Sequence, residues 1–453
     1  MKASRFNILV DSPKKGGIVL YNSLYGSLSV WNEKEAIDLK AILANPAHAD
    51  RNVEVANLLK TQKNLIPDSV DEVSLIEHRK RCGIADRNRL DLIIMPTLDC
   101  NFACVYCYEK RSPEKMQDST ELAIRNWLSA QMPKYKVTLL HWFGGEPLIC
   151  IDRVLSITKH AQKLASESGI SLLPHITTNG YLLQNSVIER LLGIGIYEYQ
   201  ITVDGPPDAH DKLRVLRNGG ATFYRVRRNI IALSRADERT KISLRINFNH
   251  TNLHSIPHLL QLFPEDVRTH LRVVFEPIFG HCALSATENI SSKEISSSIA
   301  DYYLLAKELG YDVVLGGAAI YPGKLVYCYA ERKHQFVINY NGDVFKCSVT
   351  DFNPDNRVAY IRNDGKLTKV KREWDRWVNS SLFESKCYEC IYLPLCMGGC
   401  RKMRLLQQST GSFCSLVPTN TSHILKKVAF GAFADVLQEE VKVLTTKKGG
   451  SEA

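Results

Sequence analysis

Residues 90–110 read LDLIIMPTLDCNFACVYCYEK, a run of two unlike halves. The first eight are largely apolar, the composition of a strand buried on both faces. The remainder sets Cys100, Cys104 and Cys107 on a C-x3-C-x2-C spacing. Four thiolates would close a tetrahedral zinc site or ligate every iron of a cubic [4Fe–4S] cluster. Three leave a position open, as a metal centre does when it must hold the molecule it acts on. A closed zinc site here would need a fourth ligand from elsewhere, and the spacing differs from the paired C-x2-C hooks of zinc ribbons.

Outward from this stretch, strand-like and helix-like runs alternate from about 93 to 280. VTLLHWFG, SLLPHITTNG, IYEYQITVDG, ISLRINFN and LRVVFEPI follow LDLIIMPT as strands, with helical segments such as STELAIRNWLSAQM and IDRVLSITKHAQKLASESG between them. Such a βα repeat predicts an α/β fold, a parallel sheet with helices outside. Six strands make a partial (βα)6 barrel, short of the full eight. In this architecture functional groups gather at the C-terminal strand ends, and the cysteine loop directly follows the first strand. The second strand ends in Gly144, Gly145, Glu146 and Pro147, the third in Thr178 and Asn179, and the fourth in Thr202, with Arg214 downstream; the fifth carries Arg245 and Asn247. Paired glycines let a backbone approach a ligand closely, and a nearby Glu, Asn, Thr and Arg can hold the ammonium and carboxylate of an amino acid. Alone, GGEP is an ordinary turn; one element after a three-cysteine loop it carries more weight.

Here the sequence resembles the radical S-adenosylmethionine (SAM) enzymes, whose C-x3-C-x-aromatic-C motif is matched by Cys100, Cys104, Tyr106 and Cys107. The resemblance implies that the three thiolates hold three irons of a [4Fe–4S] cluster and that SAM chelates the fourth. It places Tyr106 against the adenine, Gly144, Gly145 and Glu146 at the methionyl amine, and Thr202 and Arg214 at the ribose or carboxylate. Asp204 is expected to shape its turn.

A second cysteine set comprises Cys328, Cys347, Cys387, Cys390, Cys396, Cys400 and Cys414. The C-x2-C of Cys387 and Cys390 alone would suit a zinc ribbon. The order of all seven resembles the SPASM domain, which appends auxiliary [4Fe–4S] clusters to radical SAM barrels, and NYNGDVFKC fits its hairpin with Asn341-Gly342 as the turn. That resemblance implies three clusters in all. Cys387, Cys390, Cys396 and Cys414 ligate the outer auxiliary cluster, and Cys328, Cys347 and Cys400 the inner one. The inner cluster's fourth position is left to Cys282 or stays open. The isolated Cys82, Cys150 and, if it ligates nothing, Cys282 are expected to be small buried hydrophobes.

The chain has 453 residues, 45% of them hydrophobic and 23% charged, and its N-terminus lacks the apolar run of a signal peptide. No membrane span and a cytoplasmic location are expected. A formal charge of +10 suits an acidic partner, but the basic residues are dispersed, which argues against nucleic acid. Residues 1–92 carry three short β-rich runs and then three helix-like segments, a winged-helix-like order. Helical connector (281–325), cysteine-rich domain (326–420), and C-terminal helix and tail (421–453) complete the expected organisation.

SPASM-bearing radical SAM enzymes commonly act on peptides or proteins. The resemblance therefore implies an oxidoreductase: a maturase of a ribosomally made peptide, supplied with electrons by a flavodoxin or ferredoxin type of donor. It would cleave SAM to a 5′-deoxyadenosyl radical, take a hydrogen from the peptide and form a thioether or carbon–carbon crosslink. Residues 1–92 would grip the precursor by adding a strand to a sheet edge. The alternatives are an anaerobic sulfatase maturase forming formylglycine, or a cluster-bearing protein without catalysis. The former is weakened by Ser348, where those enzymes place a catalytic Asp, and by the ninety residues ahead of the loop.

Overall fold

A computed structural model describes residues 1–11, 17–278, 292–313, 323 and 325–407. Cys282, Cys414 and the helix expected over 421–453 lie outside the described residues.

The N-terminal residues form β1 (Lys2–Ala3), β2 (Asn7–Asp11), β3 (Ile18–Asn22), β4 (Leu28–Trp31), α1 (Glu33–Ala44), α2 (Val53–Thr61), β5 (Leu65–Ile66) and α3 (Glu72–Ala85). The strands β2-β3-β4 make an antiparallel meander, and β1 pairs with β5. Asn32 caps α1 with a reciprocal bond from Glu35, so the chain turns from strand to helix with its first amides satisfied. β3 is buried along its whole length because both its faces are covered. Ile18 and Leu20 pack with Trp31, Leu39, Ile42 and Leu59, whereas Val19 and Tyr21 join the core of the main sheet. A third cluster sets Phe6, Leu24 and Ile76 against Phe383, Leu393 and Met397. The N-terminal residues and the cysteine-rich segment therefore share a core.

Among the described residues the main sheet has ten strands. Its parallel part is β6 (Arg89–Ile94), β7 (Val137–Trp142), β8 (Ser171–Thr178), β9 (Glu198–Thr202), β10 (Lys241–Phe248) and β11 (Leu271–Pro277), in sequential order as the βα repeat requires. β6 starts at Arg89, ahead of the expected boundary at 93, because its buried run already begins at Leu90. Beyond β6 the sheet continues through β12 (Gln335–Ile338), parallel to β6, and antiparallel β13 (Asp343–Phe345), β14 (Ala359–Ile361) and β15 (Leu367–Lys369). The cysteine-rich segment thus extends the barrel sheet. Its hairpin turns over Asn339–Gly342, closed by Gly342 N–H to Asn339 O at 2.9 Å, with Gly342 at φ +84°. Gly342 follows the turn in the left-handed conformation instead of sharing a two-residue turn with Asn341. Within the expected connector, Ser292–Glu308 is helical. Among the described residues no helix is long and apolar enough to cross a membrane.

Candidate active site

The cysteine loop leaves the end of β6 and is clamped by its neighbours. Thr97 pairs with Lys115 and Phe102 with Leu216, while Ala103 and Val105 donate their N–H groups to Val215 O and Leu213 O. Gly144 and Gly145 approach the loop itself. A Cβ on Gly144 would lie 2.4 Å from Thr97 O, and one on Gly145 would lie 2.2 Å from Asp99 O. Gly144 also has φ +118°. Gly145 N–H bonds Thr97 O at 3.2 Å and Glu146 N–H bonds Asp99 O at 2.8 Å. The glycines therefore fit strand end to loop, a close approach between two parts of the same chain. Gly145→Ala should displace the loop, with an overpacking cost of at least about 1–3 kcal/mol; denaturant melts and iron uptake on reconstitution should both register the loss.

Glu146 is fully buried. Its Oε1 accepts from Leu148 N at 3.0 Å and Thr178 Oγ1 at 2.8 Å, and its Oε2 accepts from Asn179 N at 2.8 Å. Two of these donors tie the GGEP turn to the TTNG turn and the third caps the turn's own exit, so the carboxylate's visible work is positional. Asn179 continues the chain of contacts, its Nδ2 donating to Asn101 Oδ1 at 2.7 Å and pointing to Cys100 Sγ at 3.8 Å. Burial raises the Glu146 carboxyl to about 7 against 4.5, the three donors notwithstanding. A raised carboxyl stabilises the fold in its protonated form. That contribution is complete below about pH 4.5 and disappears as pH climbs through about 7. Glu146→Gln loses it and also sets an amide donor against one of the three donors, which costs about 1–3 kcal/mol. In the cluster-free protein its stability deficit should be larger at pH 5 than at pH 8, as paired denaturant melts would read.

A second network lies across the site. Tyr106 is buried, and its hydroxyl donates to Asp204 Oδ2 while accepting from Arg214 Nη1 at 2.7 Å and Asn247 Nδ2 at 3.0 Å. Asp204 Oδ1 accepts from Asn247 N at 2.9 Å, and Arg245 Nε donates to Asn247 Oδ1 at 2.8 Å. Thr202 stands opposite Arg245 in the β9–β10 register. Asp204 is thus a hub between the cysteine loop and two strand ends, more than the turn-shaping residue expected. Its place in the T-x-D-G run after the fourth strand was the available signal.

The three thiols of the loop lie within electrostatic reach of one another. Burial pushes Cys100 up to about 12, assisted by the Glu146 carboxylate, and also raises Cys104 and Cys107. Ligating thiols must be deprotonated, so these need a strong positive charge at the loop. Phe102 N–H points at Cys100 Sγ at 3.4 Å, the kind of bond that tunes an iron–sulfur group. Beside Cys100 lies an open depression walled by Ile149, Leu216, Arg217 and Asn218. The donors fit an iron–sulfur cluster with an accessible side.

Cys328, Cys347 and Cys400 are likewise electrostatic neighbours, as are Cys387 and Cys396. Among the described residues no three His, Cys, Asp or Glu side chains are spaced for a single metal ion; a four-iron cube holds its thiolates wider apart than one ion does. Cys150 is buried as expected. Cys82 is exposed, its thiol 3.6 Å from His78 Nε2, because it sits on the outer side of α3.

Beneath the strand ends, the alternation of β7 to β10 sends Leu140, Trp142, Ile176, Ile201 and Leu244 into a dry core. The opposite face carries His141, His175, Thr177, Gln200, Ser243 and Arg245, each partly exposed. His141 and His175 stack at 3.9 Å, and His141 Nε2 lies 2.8 Å from Thr177 Oγ1. Burial lowers both imidazoles, His175 to about 4, so both are neutral near pH 7. Closed barrels fill this position with branched apolar side chains; here the face is polar. Sequence reading passed over the histidines, although the alternation in TLLHW already set His141 opposite Trp142.

Residues 94–263 match the family model of the radical SAM superfamily. The chain carries a radical SAM domain. The match covers the cysteine loop, both clamping turns and the Tyr106–Asp204–Arg214–Asn247 network, and SAM and an iron–sulfur cluster are the cofactors of such a domain. It sets aside the non-catalytic reading. A serine-type anaerobic sulfatase-maturating enzyme of Bacteroides thetaiotaomicron is 25% identical over 69% of this chain and 82% of the relative. The solved structure of native anSMEcpe with bound AdoMet shares the fold at a TM-score of 0.60 and 18% identity, covering 77% of this chain and 99% of that one. Streptococcus suis SuiB bound to precursor peptide SuiA does so at 0.51 and 15%, covering 88% and 95%.

Proposed function

We propose that this enzyme modifies a peptide or protein, and that the target residue enters the polar lumen under the cysteine loop. The lumen carries the reading: His141, His175, Thr177, Gln200, Ser243 and Arg245 keep partial exposure only three or fewer positions before the strand-end motifs. SAM and the loop cluster supply a 5′-deoxyadenosyl radical when bound. The chain's own residues provide placement. Gly144 and Gly145 hold the loop against β7, Glu146 fixes the two turns, and the Tyr106 network closes the opposite wall. Neutral imidazoles and hydroxyls lining the lumen suit hydrogen bonding to a polar peptide group.

Crystallisation of SuiB with a precursor peptide supports a peptide substrate, as does the name of the sulfatase-maturating relative. The wider span of the likeness to SuiB, 88% of this chain against 77% for anSMEcpe, favours a part for residues 1–92 in gripping a precursor. Strand β4, which among the described residues pairs with β3 alone in its sheet, is the edge we assign to that contact. The mutual proximity of Cys328, Cys347 and Cys400, and of Cys387 and Cys396, supports the inner and outer auxiliary clusters, with Cys390 and Cys414 completing the outer set. Anaerobic reconstitution should then load about twelve irons per chain, from three four-iron clusters; an iron assay giving about four irons, with zinc, would restore the ribbon reading.

The sulfatase-maturase reading is favoured by the relative's identity over most of its length. Ser348 stands where those enzymes carry an Asp, and its Oγ is 2.6 Å from Tyr329 OH, leaving no carboxylate at that position. Mass spectrometry of co-expressed candidate peptides separates the two. Loss of two hydrogens with a new crosslink supports the maturase of ribosomal peptides, whereas an aldehyde at a Ser or Cys would overturn it in favour of formylglycine formation.

A further inference from the structure

Three cationic side chains are buried where α3 meets the cysteine-rich segment, with one carboxylate among them. Lys80, on α3, is fully enclosed. Its Nζ lies 2.8 Å from Glu331 Oε1, donates to Met397 O at 2.6 Å and sits 4.7 Å from the centre of the Phe383 ring. Arg404 brings Nη2 to the same Glu331 oxygen at 2.7 Å and Nη1 to Leu382 O at 2.9 Å. Arg401 donates to carbonyls, Ser381 O at 2.9 Å and Trp377 O at 3.0 Å. The other Glu331 oxygen accepts from Tyr327 N at 3.1 Å. Three cations against one carboxylate leave a surplus of two positive charges in a dry region. The Nε atoms of Arg401 and Arg404 are buried without a hydrogen-bond partner among the described residues.

Buried charge is costly until an opposite charge or hydrogen bonds answer it. Carbonyls solvate these groups but do not neutralise them. We propose that the compensating anion is the iron–sulfur group held by Cys387, Cys390 and Cys396, and that Lys80 is a charge-balancing and positioning residue for it, contributed by the N-terminal segment. This rests on the outer-cluster assignment above. An oxidised four-iron cube with four thiolates carries about −2 overall, and net charge nearby is one determinant of its potential. The placement agrees: Met397, the Lys80 acceptor, follows Cys396 directly, and Phe383 and Met397 pack in one cluster with Cys387. Burial raises the Cys387 thiol, and Arg404 is among the groups that pull it back down. The ammonium of α3 thus anchors the carbonyl of the cysteine loop and supplies part of the counter-charge.

The test uses the full chain in a Cys104→Ala, Cys347→Ala background, which empties the first cysteine loop and the inner auxiliary set, with and without Lys80→Met. Melting temperature is measured before iron loading. After anaerobic reconstitution, iron loss to a chelator and the midpoint potential by electron paramagnetic resonance are measured. Methionine keeps the length and removes the charge, while Arg404 remains on Glu331. Before loading, Lys80→Met should melt no lower than its parent, because it relieves part of the surplus. After loading, it should lose iron about tenfold faster, the size expected for an outer-sphere partner, and its potential should move negative. Lowered melting before loading, with unchanged iron loss and potential, would make Lys80 a structural tie and overturn the proposal. If the parent binds no iron, the outer-cluster assignment itself falls, a separable failure. Arg401→Met, which breaks no ion pair among the described residues, repeats the test should Lys80→Met fold poorly, and equal iron loss and potential there would also overturn it.

Discussion

Cys104→Ala is expected to bring reductive SAM cleavage down to the level of a protein-free blank. Cys104 lies between the other two ligands in sequence, and its backbone O accepts from Cys107 N–H at 3.2 Å, so these two share one tight turn. Burial already keeps these thiols protonated in the absence of a metal charge. Only the combined field of several irons makes ligation favourable, and two thiolates hold a four-iron cube much less firmly than three. Without the cluster no electron reaches the sulfur–carbon bond of SAM. The effect should therefore be all-or-none in 5′-deoxyadenosine formation, while the melting temperature of the cluster-free protein changes little. Deoxyadenosine at the wild-type rate would place the chemistry elsewhere.

Deleting residues 1–88, up to the start of β6, is expected to release the iron assigned to the C-terminal cysteines and leave an aggregation-prone chain. Phe6, Leu24 and Ile76 cover Phe383, Leu393 and Met397, and each large side chain loses about 1.5–3 kcal/mol when bared. The deletion also removes the Ser23 Oγ bond to Ile391 O at 2.9 Å and the Glu77 acceptor of Tyr388 OH. Together these approach the whole stability of an ordinary domain. Soluble yield and iron per chain measure it; a soluble truncation that keeps its full iron complement would show the N-terminal residues to be a detachable cap. Because deletion is so damaging, a part in precursor binding is better probed by Val30→Asp on β4. Val30 is 48% exposed, so the change should raise KM for a full precursor while peptide-free SAM cleavage stays constant.

Local patterns carried the barrel. Continuous apolar runs such as Leu90–Ile94, and helices stopped by glycine at positions such as Gly169, declare themselves within a few residues, and all six strands form near the expected runs. The cysteine spacing and GGEP marked the site for the same reason. What stayed hidden depends on contacts between distant segments. The pairing of β12 with β6 joins residues more than two hundred positions apart, and neither strand's composition names its neighbour. The Lys80–Glu331 contact spans a similar gap, and a lone lysine in a helical pattern reads as surface. Gly144 and Gly145 were legible as glycines that something approaches closely; that the something is Thr97 and Asp99 required the folded chain.

The most direct measurement is anaerobic incubation of the reconstituted wild-type protein with SAM and a reductant, followed by quantitation of 5′-deoxyadenosine and methionine. The account predicts both products in equal amounts, dependent on reductant and absent from iron-free protein. Protein with iron shown spectroscopically to sit on Cys100, Cys104 and Cys107, yet releasing no 5′-deoxyadenosine, would contradict it.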